Sequence, residues 1–188
     1  RKCLDSIFIQ KNDLKYEIII VDDGSSDGTV EVVESVIAGR GNVKFIHQEN
    51  AGAGAARNKA LRYASGDYLL FIDGDDYISS NSLNILKIEM QKNEDLDVLI
   101  FMYRYYDEGS CVFKKMSQRD AEVYNDVAFQ NRVFSFEECP QLHECITYPW
   151  NKLFRRSFVE ENNLTAEKVQ QLCLKYARFF RCFRLRKR

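Results

Sequence analysis

Several features that mark membrane, secreted and nucleic-acid-binding proteins are missing from these 188 residues. The six cysteines form no Cys-x-x-Cys pair, which excludes the common zinc patterns and a compact secreted disulfide framework. No apolar run approaches the roughly 20 residues that span a bilayer, and no signal-peptide pattern is present. The formal net charge of −1 argues against nucleic acid as the main partner. We therefore expect a cytoplasmic protein with reduced thiols.

The charges that are present are unevenly distributed. Residues 175–188 contain seven Lys or Arg and no acid, and aromatic residues recur on one side of this segment. The pattern predicts a basic amphipathic C-terminal helix over residues 165–188, separate from a domain over residues 1–164. Such helices are typical of membrane surfaces, so we expect peripheral contact through residues 170–188 at the inner face of the plasma membrane. The alternative is a helix that packs its aromatic residues on the domain and exposes its arginines.

Hydrophobic patterns predict alternating strands and helices in the first hundred residues. Apolar runs are typical of strands buried on both faces, and apolar residues at intervals of three and four are typical of helices. The predicted strands cover residues 17–21, 43–46, 68–72 and 96–101, and the predicted helices cover 30–37, 55–64, 82–90, 120–132 and 153–162. This order indicates an α/β fold with a mostly parallel central sheet flanked by helices. A small antiparallel hairpin is expected around Glu108.

Two acid-rich turns follow the first and third of these strands. Asp22-Asp23-Gly24-Ser25 follows the first, and Asp73-Gly74-Asp75-Asp76 follows the third. Carboxyl ends of parallel strands meet at one edge of a sheet, so we expect both turns to line one cleft. Clustered carboxylates repel one another unless a cation relieves them, and oxygen ligands suit Mg²⁺ or Mn²⁺. The alternative is a pair of polar turns whose Asp residues cap helices.

Other residues near these turns suit a phosphorylated ligand. Arg57 lies on the helix between the turns, after a glycine-rich loop, and a guanidinium can hold phosphate through two hydrogen bonds. Gly24 lets the backbone approach a ligand closely. His47 and His143 are isolated in the sequence, and we interpret each as a satisfied or solvent-facing histidine rather than a metal ligand or a catalyst.

Four segments resemble, in order and spacing, the signatures of family 2 glycosyltransferases, which have the GT-A fold. They are residues 21–29 (VDDGSSDGT), 50–58 (NAGAGAARN), 66–76 (GDYLLFIDGDD) and 148–158 (YPWNKLFRRSF). The resemblance spans residues 1–164, and the combination is specific where any one segment would be weak. It implies inverting transfer of a sugar from a nucleotide-diphosphate donor, with a UDP-sugar favoured. The acceptor would be a saccharide or lipid-linked saccharide in surface polysaccharide synthesis.

The resemblance also implies roles for particular residues. The donor would be bound by Asp22, Asp23, Gly24, Arg57 and Asp73, the Mn²⁺ or Mg²⁺ ion by Asp73 and Asp75, and the acceptor side would be lined by Trp150 and Lys152, or braced by them from beneath. The metal would neutralise the leaving diphosphate, and a carboxylate base would deprotonate the acceptor hydroxyl.

Two departures from the family pattern stand out. The family's first strand, which also contacts the nucleotide, is missing before Arg1, so we expect the sheet to lack one strand. The Glu-Asp pair that supplies the base is not found after Leu164, where Thr165-Ala166-Glu167-Lys168 follows, and we assign no base. A catalytically silent nucleotide-sugar or partner-binding module is therefore a second hypothesis. A nucleotidyltransferase, which also uses acidic metal sites, is a third.

Overall fold

Helices and short strands alternate through the first hundred residues, as the hydrophobic pattern predicts. The structure, a computed structural model, describes residues 1–11, 13–92, 96–101, 105–107, 109, 112–114, 133–134, 149–166, 168 and 180–183. The described helices are α1 (Lys2–Phe8), α2 (Thr29–Ile37), α3 (Ala53–Tyr63), α4 (Ser82–Lys92) and α5 (Arg156–Glu161). The described strands are β1 (Ile18–Asp23), β2 (Val43–Gln48), β3 (Tyr68–Leu70), β4 (Val98–Phe101), β5 (Tyr105–Asp107), β6 (Val112–Lys114), β7 (Val133–Phe134), β8 (Lys152–Arg155) and β9 (Phe180–Phe183).

Strands β1 and β2 form a parallel pair. Their β-branched and apolar residues favour extended backbone, and the register runs from Ile18 opposite Val43 to Asp23 opposite Gln48. This register also places Asp22 opposite His47. The acidic end of β1 therefore lies beside the polar end of β2.

A second sheet contains five strands in the order β3-β8-β4-β9-β7. Its β4 and β9 are parallel, and its other neighbouring strands are antiparallel. The predicted hairpin is confirmed as β5 paired with β6. The α/β class is confirmed, but the mostly parallel arrangement holds for β1 and β2 and not for this mixed sheet.

Among the described residues, no strand ladder joins β1 or β2 to the five-stranded sheet. Side chains connect the two instead. Glu17, just before β1, accepts hydrogen bonds from the Ser65 hydroxyl and amide, both at 2.7 Å, and from the Gly66 amide at 3.0 Å. The bond from the Ser65 side chain and those from the two amides lower the pKa of Glu17. We call the boundary between β1 and β3 the sheet seam.

The segment that follows residue 149 differs from its prediction. A helix is predicted over residues 153–162, but β8 occupies Lys152–Arg155 and the helix begins at Arg156. Strand β8 pairs with β3 on one side and β4 on the other. Leu153 and Phe154 are 6% and 0% exposed. A central strand buries both of these neighbouring side chains, whereas a surface helix would expose one of them.

The prediction of one continuous helix over residues 165–188 is wrong. Phe180–Phe183 form β9, which pairs with β4 and β7 and thus belongs to the sheet. The edge of β4 presents backbone groups that need partners, and aromatic residues favour strands. The rest of residues 169–188 and the helix predicted over 120–132 lie outside the described residues. In the part of the chain that is described, no helix is long and apolar enough to cross a bilayer.

The core forms on the two faces of β4 and β8. On one face, the buried side chains are Leu99, Phe101 and Leu153, together with Leu86 and Leu96. On the other face, the side chains of Val98, Ile100 and Phe154 are completely buried. Each such side chain contributes roughly 1.5–3 kcal/mol through burial. The sheet that carries β3 is therefore the well-packed half of the protein.

Candidate functional site

Asp23, at the end of β1, anchors the glycine-rich loop that precedes α3. Its Oδ1 accepts hydrogen bonds from Gln48 Nε2 at 2.6 Å and the Ala51 amide at 2.9 Å, and its Oδ2 accepts one from the Gly52 amide at 2.8 Å. These bonds, led by that from Ala51, lower the pKa of Asp23. A carboxylate has about four acceptor positions, so Asp23 keeps one for a ligand.

Gly24 is needed for the close approach of this loop. Its φ is +76°, and a Cβ built there would lie 2.7 Å from the Asn50 amide nitrogen. No side chain fits such a gap, and a non-glycine residue would also be strained at that φ. The sequence predicts close approach to a ligand at Gly24, and the structure shows close approach to the backbone of Asn50.

Asp22 is buried beneath Asp23 and has a different environment. Its Oδ1 accepts from the Ser25 amide at 3.4 Å, and its Oδ2 lies 3.5 Å from His47 Nδ1. The hydrogen bond from Ser25, with a smaller contribution from His47, lowers the pKa of Asp22. The His47 side chain is 50% exposed with Asp22 as its partner, which fits the interpretation of a satisfied histidine. Only the strand register brings it to Asp22.

Arg57 and Asp73 join the two predicted halves of the cleft. Arg57 Nη2 donates to Asp73 Oδ1 at 2.6 Å across the sheet seam, and the two side chains are 25% and 33% exposed. A guanidinium has five N–H donors, so Arg57 can hold Asp73 and a phosphate oxygen together. The sequence predicts that both residues contact the donor, and the structure places them against each other.

The acidic turn after β3 has the chemistry of a cation site. The Asp76 amide donates to the Asp73 carbonyl at 3.0 Å, and the side chains of Asp75 and Asp76 are exposed. Loss of water around the carboxyl, followed by the charges of Asp75 and Asp73, raises the pKa of Asp76. This repulsion is what a divalent cation would relieve.

The described residues suit a metal ion that is coordinated partly by the protein and partly by the substrate. They include no group of three or more His, Cys, Asp or Glu side chains arranged to hold an ion by themselves. Mg²⁺ is usually bound by one or two carboxylates, substrate phosphates and water, and the oxygens of Asp73 and Asp75 suit this mode.

Helix α1, together with Gln10 two residues after its end, holds the acidic turn and the segment that follows it. The contacts are Cys3 Sγ to Asp73 O at 3.6 Å, the Ile78 amide to Ser6 Oγ at 3.1 Å, Gln10 Nε2 to Ser79 O at 2.9 Å and the Leu83 amide to Gln10 Oε1 at 3.3 Å. Burial, and then the acidic turn, raises the pKa of the Cys3 thiol to about 11. These contacts join residues about 70 positions apart, so local sequence patterns do not reveal them.

Lys152 does not line an open acceptor surface. It is 0% exposed within β8, and its Nζ donates to Oδ1 of Asn151, which is also 0% exposed. Trp150 is half-buried just before this strand. Of the two roles predicted for Lys152, bracing the structure beneath the site fits its burial.

The segment around Leu164 and Ala166 packs on α3. Leu164 and Ala166 are buried, and the Ala166 amide donates to Asn58 Oδ1 at 2.6 Å. Glu167 lies outside the described residues. The base therefore stays unassigned.

We expect the anchoring of the glycine-rich loop by Asp23 to weaken in acid. Because its folded pKa lies below the ordinary value of about 3.9, the hydrogen bonds are fully present above that pH and are lost as the pH falls through the lower folded pKa. Protection factors of the Ala51 and Gly52 amides should therefore fall in acid. In an Asp23→Asn variant they should be low at every pH. High protection of both amides in the Asp23→Asn variant at neutral pH would contradict this role.

The chain has relatives of known family. The sequence profile described as Glycosyl transferase family 2 matches residues 1–163. Over 169 residues the chain is 33% identical to the putative glycosyltransferase EpsH of Bacillus subtilis (strain 168), which covers 88% of this chain and 45% of that protein. It is also 33% identical over 169 residues to a poly(ribitol-phosphate) beta-glucosyltransferase of Bacillus spizizenii, covering 87% of this chain and 24% of that protein. The chain thus spans less than half the length of these relatives.

A solved structure shows the same fold. The mannosyltransferase PcManGT of Pyrobaculum calidifontis, in complex with GDP-Man and Mn²⁺, matches with a TM-score of 0.64 and 16% identity. The match covers 96% of this chain and 49% of that one. Together with the family profile, this likeness confirms the predicted GT-A fold.

Proposed function

This chain belongs to glycosyl transferase family 2, and from that premise we propose that it forms the donor-binding part of a metal-dependent, inverting glycosyltransferase. One observation carries the proposal. The Arg57–Asp73 ion pair, at 2.6 Å, joins the acidic turn after β3 to α3, the helix that follows the loop anchored by Asp23. A carboxylate that would bind the base, a guanidinium that would bind phosphate and a turn that would bind a cation are thereby linked through α3 and the loop before it.

Each part of this region has a role in donor binding. Asp23 would accept a hydrogen bond from the nucleotide through its remaining acceptor position. Arg57 would bind the diphosphate, and Asp73 and Asp75 would hold Mn²⁺ or Mg²⁺. When bound, the metal neutralises the leaving diphosphate. Asp22, with Ser25 and His47 as partners, would keep the β1 turn in place, and its contact with the donor stays a prediction.

The substrates of the whole protein belong to the same proposal. A nucleotide-diphosphate sugar, with UDP favoured, would donate to a saccharide or lipid-linked saccharide in surface polysaccharide synthesis. The poly(ribitol-phosphate) beta-glucosyltransferase relative supports a polymer as the class of acceptor. A cytoplasmic location and membrane contact through residues 170–188 stay predictions, and the strand at Phe180–Phe183 removes part of the helix on which that contact was predicted.

Donor binding can be measured without knowing the sugar or the acceptor. UDP or GDP with Mn²⁺ should raise the melting temperature of the full-length protein, because a ligand at one hundred times its Kd stabilises by about 2.7 kcal/mol. For a domain of this size that corresponds to about 5–10 °C. EDTA should remove most of the shift. The proposal fails if no nucleoside diphosphate shifts the melting temperature with either metal.

A catalytically silent binding module is the second candidate. The Glu-Asp pair that would supply the base is not found after Leu164, where Glu167 is the only carboxylate side chain in the sequence. Hydrolysis of UDP-sugars by the full-length protein would decide, since a silent module releases no UDP. A nucleotidyltransferase would instead release pyrophosphate from a nucleoside triphosphate.

A further inference from the structure

A cavity of about 290 Å³ lies next to the acidic turn, on the side covered by α1. The described residues that line it are Lys2, Asp5, Tyr77 and Tyr106. Tyr77 directly follows Asp76, and Tyr106 belongs to β5. Lys2 and Asp5 are three residues apart in α1, so both reach the same side of the helix. The donor-binding residues described above include none of these four.

The two tyrosines make a corner that suits a flat ring. Their ring centroids are 5.9 Å apart and their planes meet at 78°, which is an edge-to-face arrangement. Tyr77 is 39% exposed, so part of its ring surface faces solvent. Aromatic faces carry partial negative charge and attract the weakly positive C–H groups on one side of a sugar ring.

The polar groups of the cavity suit the rim of the same ring. The Asp5 carboxylate accepts hydrogen bonds and the Lys2 ammonium donates them, so together they match hydroxyl groups, which do both. Asp5 also accepts from Arg1 Nε at 3.4 Å, so the rim contains both charges and offers both donors and acceptors. A neutral polyol with one apolar face fits both the aromatic corner and this mixed pair.

The loop that carries Tyr77 is held in place before any ligand binds. Ser6 accepts from the Ile78 amide at 3.1 Å, and Gln10 donates to the Ser79 carbonyl at 2.9 Å. Side chains on a supported loop lose less conformational freedom on binding, which favours recognition of a small ligand. The same helix contacts Asp73 through Cys3, so α1 positions the cavity and the acidic turn together.

We propose that this cavity binds one pyranose ring of the saccharide acceptor. The inference rests on the proposed function and adds the location of the acceptor and the residues that select it. The volume lies at the lower limit of roughly 300–1,000 Å³ for ligand pockets, which suits one sugar ring rather than a whole nucleotide-sugar. Tyr77 is two residues from Asp75, so the acceptor ring would lie beside the turn that holds the departing diphosphate.

The test uses the full-length protein labelled with 3-fluorotyrosine and the methyl β-glycosides of glucose, galactose and N-acetylglucosamine as probes. Tyr77→Phe and Tyr106→Phe assign the two fluorine resonances among the ten tyrosines of the chain. At least one glycoside should shift both resonances in a saturable way. Tyr63, which is 45% exposed and contacts Lys44, is the matched control and should not respond.

Two variants test whether the aromatic ring of Tyr77 itself contributes to glycoside binding. Tyr77→Ala should weaken glycoside binding, followed at Tyr106, by about tenfold through loss of stacking. Tyr77→Phe, followed at the same resonance, should retain it. The inference is overturned if no glycoside shifts Tyr77 and Tyr106 more than Tyr63. It is also overturned if Tyr77→Ala binds as well as the parent. A retained melting shift with UDP and Mn²⁺ would then show that donor binding stands and only the acceptor cavity fails.

Discussion

Replacing Asp75 with asparagine is expected to slow sugar transfer by about a thousandfold, or roughly 4 kcal/mol of transition-state stabilisation. Asparagine keeps the shape of the side chain but removes the charge that attracts a divalent cation. Asp75 is exposed in its turn, so the substitution should leave the fold intact. The rate should be measured as release of nucleoside diphosphate by the full-length protein in Mn²⁺, and the metal-dependent part of the melting shift should disappear with it.

Asp27→Asn is the matched control for this change. Asp27 is also an exposed carboxylate in an acid-rich turn, and its Oδ1 accepts from the Thr29 amide at 3.0 Å. It lies outside the proposed metal site, so its loss should change the rate by less than about threefold, as expected for a surface position. A rate for Asp75→Asn within tenfold of the parent would refute Asp75 as a metal ligand.

Replacing Lys152 with alanine is expected to lower the free energy of unfolding by about 3–5 kcal/mol. The change opens a cavity in a strand that is paired on both sides, and it leaves the buried Oδ1 of Asn151 without the ammonium that now donates to it. Chemical denaturation of the full-length protein would show the loss of stability. Thermal unfolding would show it if the variant is too unstable to give a complete denaturation curve.

Lys152→Met separates the charge from the volume of this side chain. A buried charge can often be exchanged for an apolar group of similar size at small cost, so methionine should restore about half of the lost stability or more. Lys59→Ala serves as the surface control, because Lys59 is only half-buried and should cost less than about 1 kcal/mol. Equal stability of Lys152→Ala and the parent would contradict a bracing role.

Strands β1 and β2 and the helices near them could be predicted because their patterns are strong locally. A run of isoleucine that ends in two aspartates has few alternatives to a strand before a polar turn, although the apolar residues of β1 are only half-buried. The secondary structure of residues 153–162 and 180–183 was harder to predict, because a short aromatic or apolar segment fits a helix as well as a strand. Their actual partner, β4, lies more than fifty residues away along the chain. The pairing decides the structure there, and the local pattern does not contain it.

The candidate site divides in the same way. Asp23, Arg57 and the acidic turn were predicted from residue type and spacing, and the structure brings Arg57 to Asp73. The partner of His47 was not predicted, because its contact with Asp22 follows from the register of β1 against β2. A period-two reading of both strands could have revealed it, since adjacent strand ends place facing residues side by side. The support of the acidic turn by α1 has no comparable signal in the sequence.

The sheet seam gives the site its mechanical character. Backbone ladders resist relative displacement strongly, because several hydrogen bonds must change together, whereas contacts through single side chains can rearrange one at a time. In the described residues, β1 and β3 are joined by contacts such as Glu17 to Ser65 and Arg57 to Asp73. The proposed nucleotide and metal sides of the cleft therefore lie on two sheets that side-chain contacts join. Under the proposed function, a diphosphate bound by Arg57 would change one of those contacts, so the cleft would adjust to its length with little distortion of either sheet.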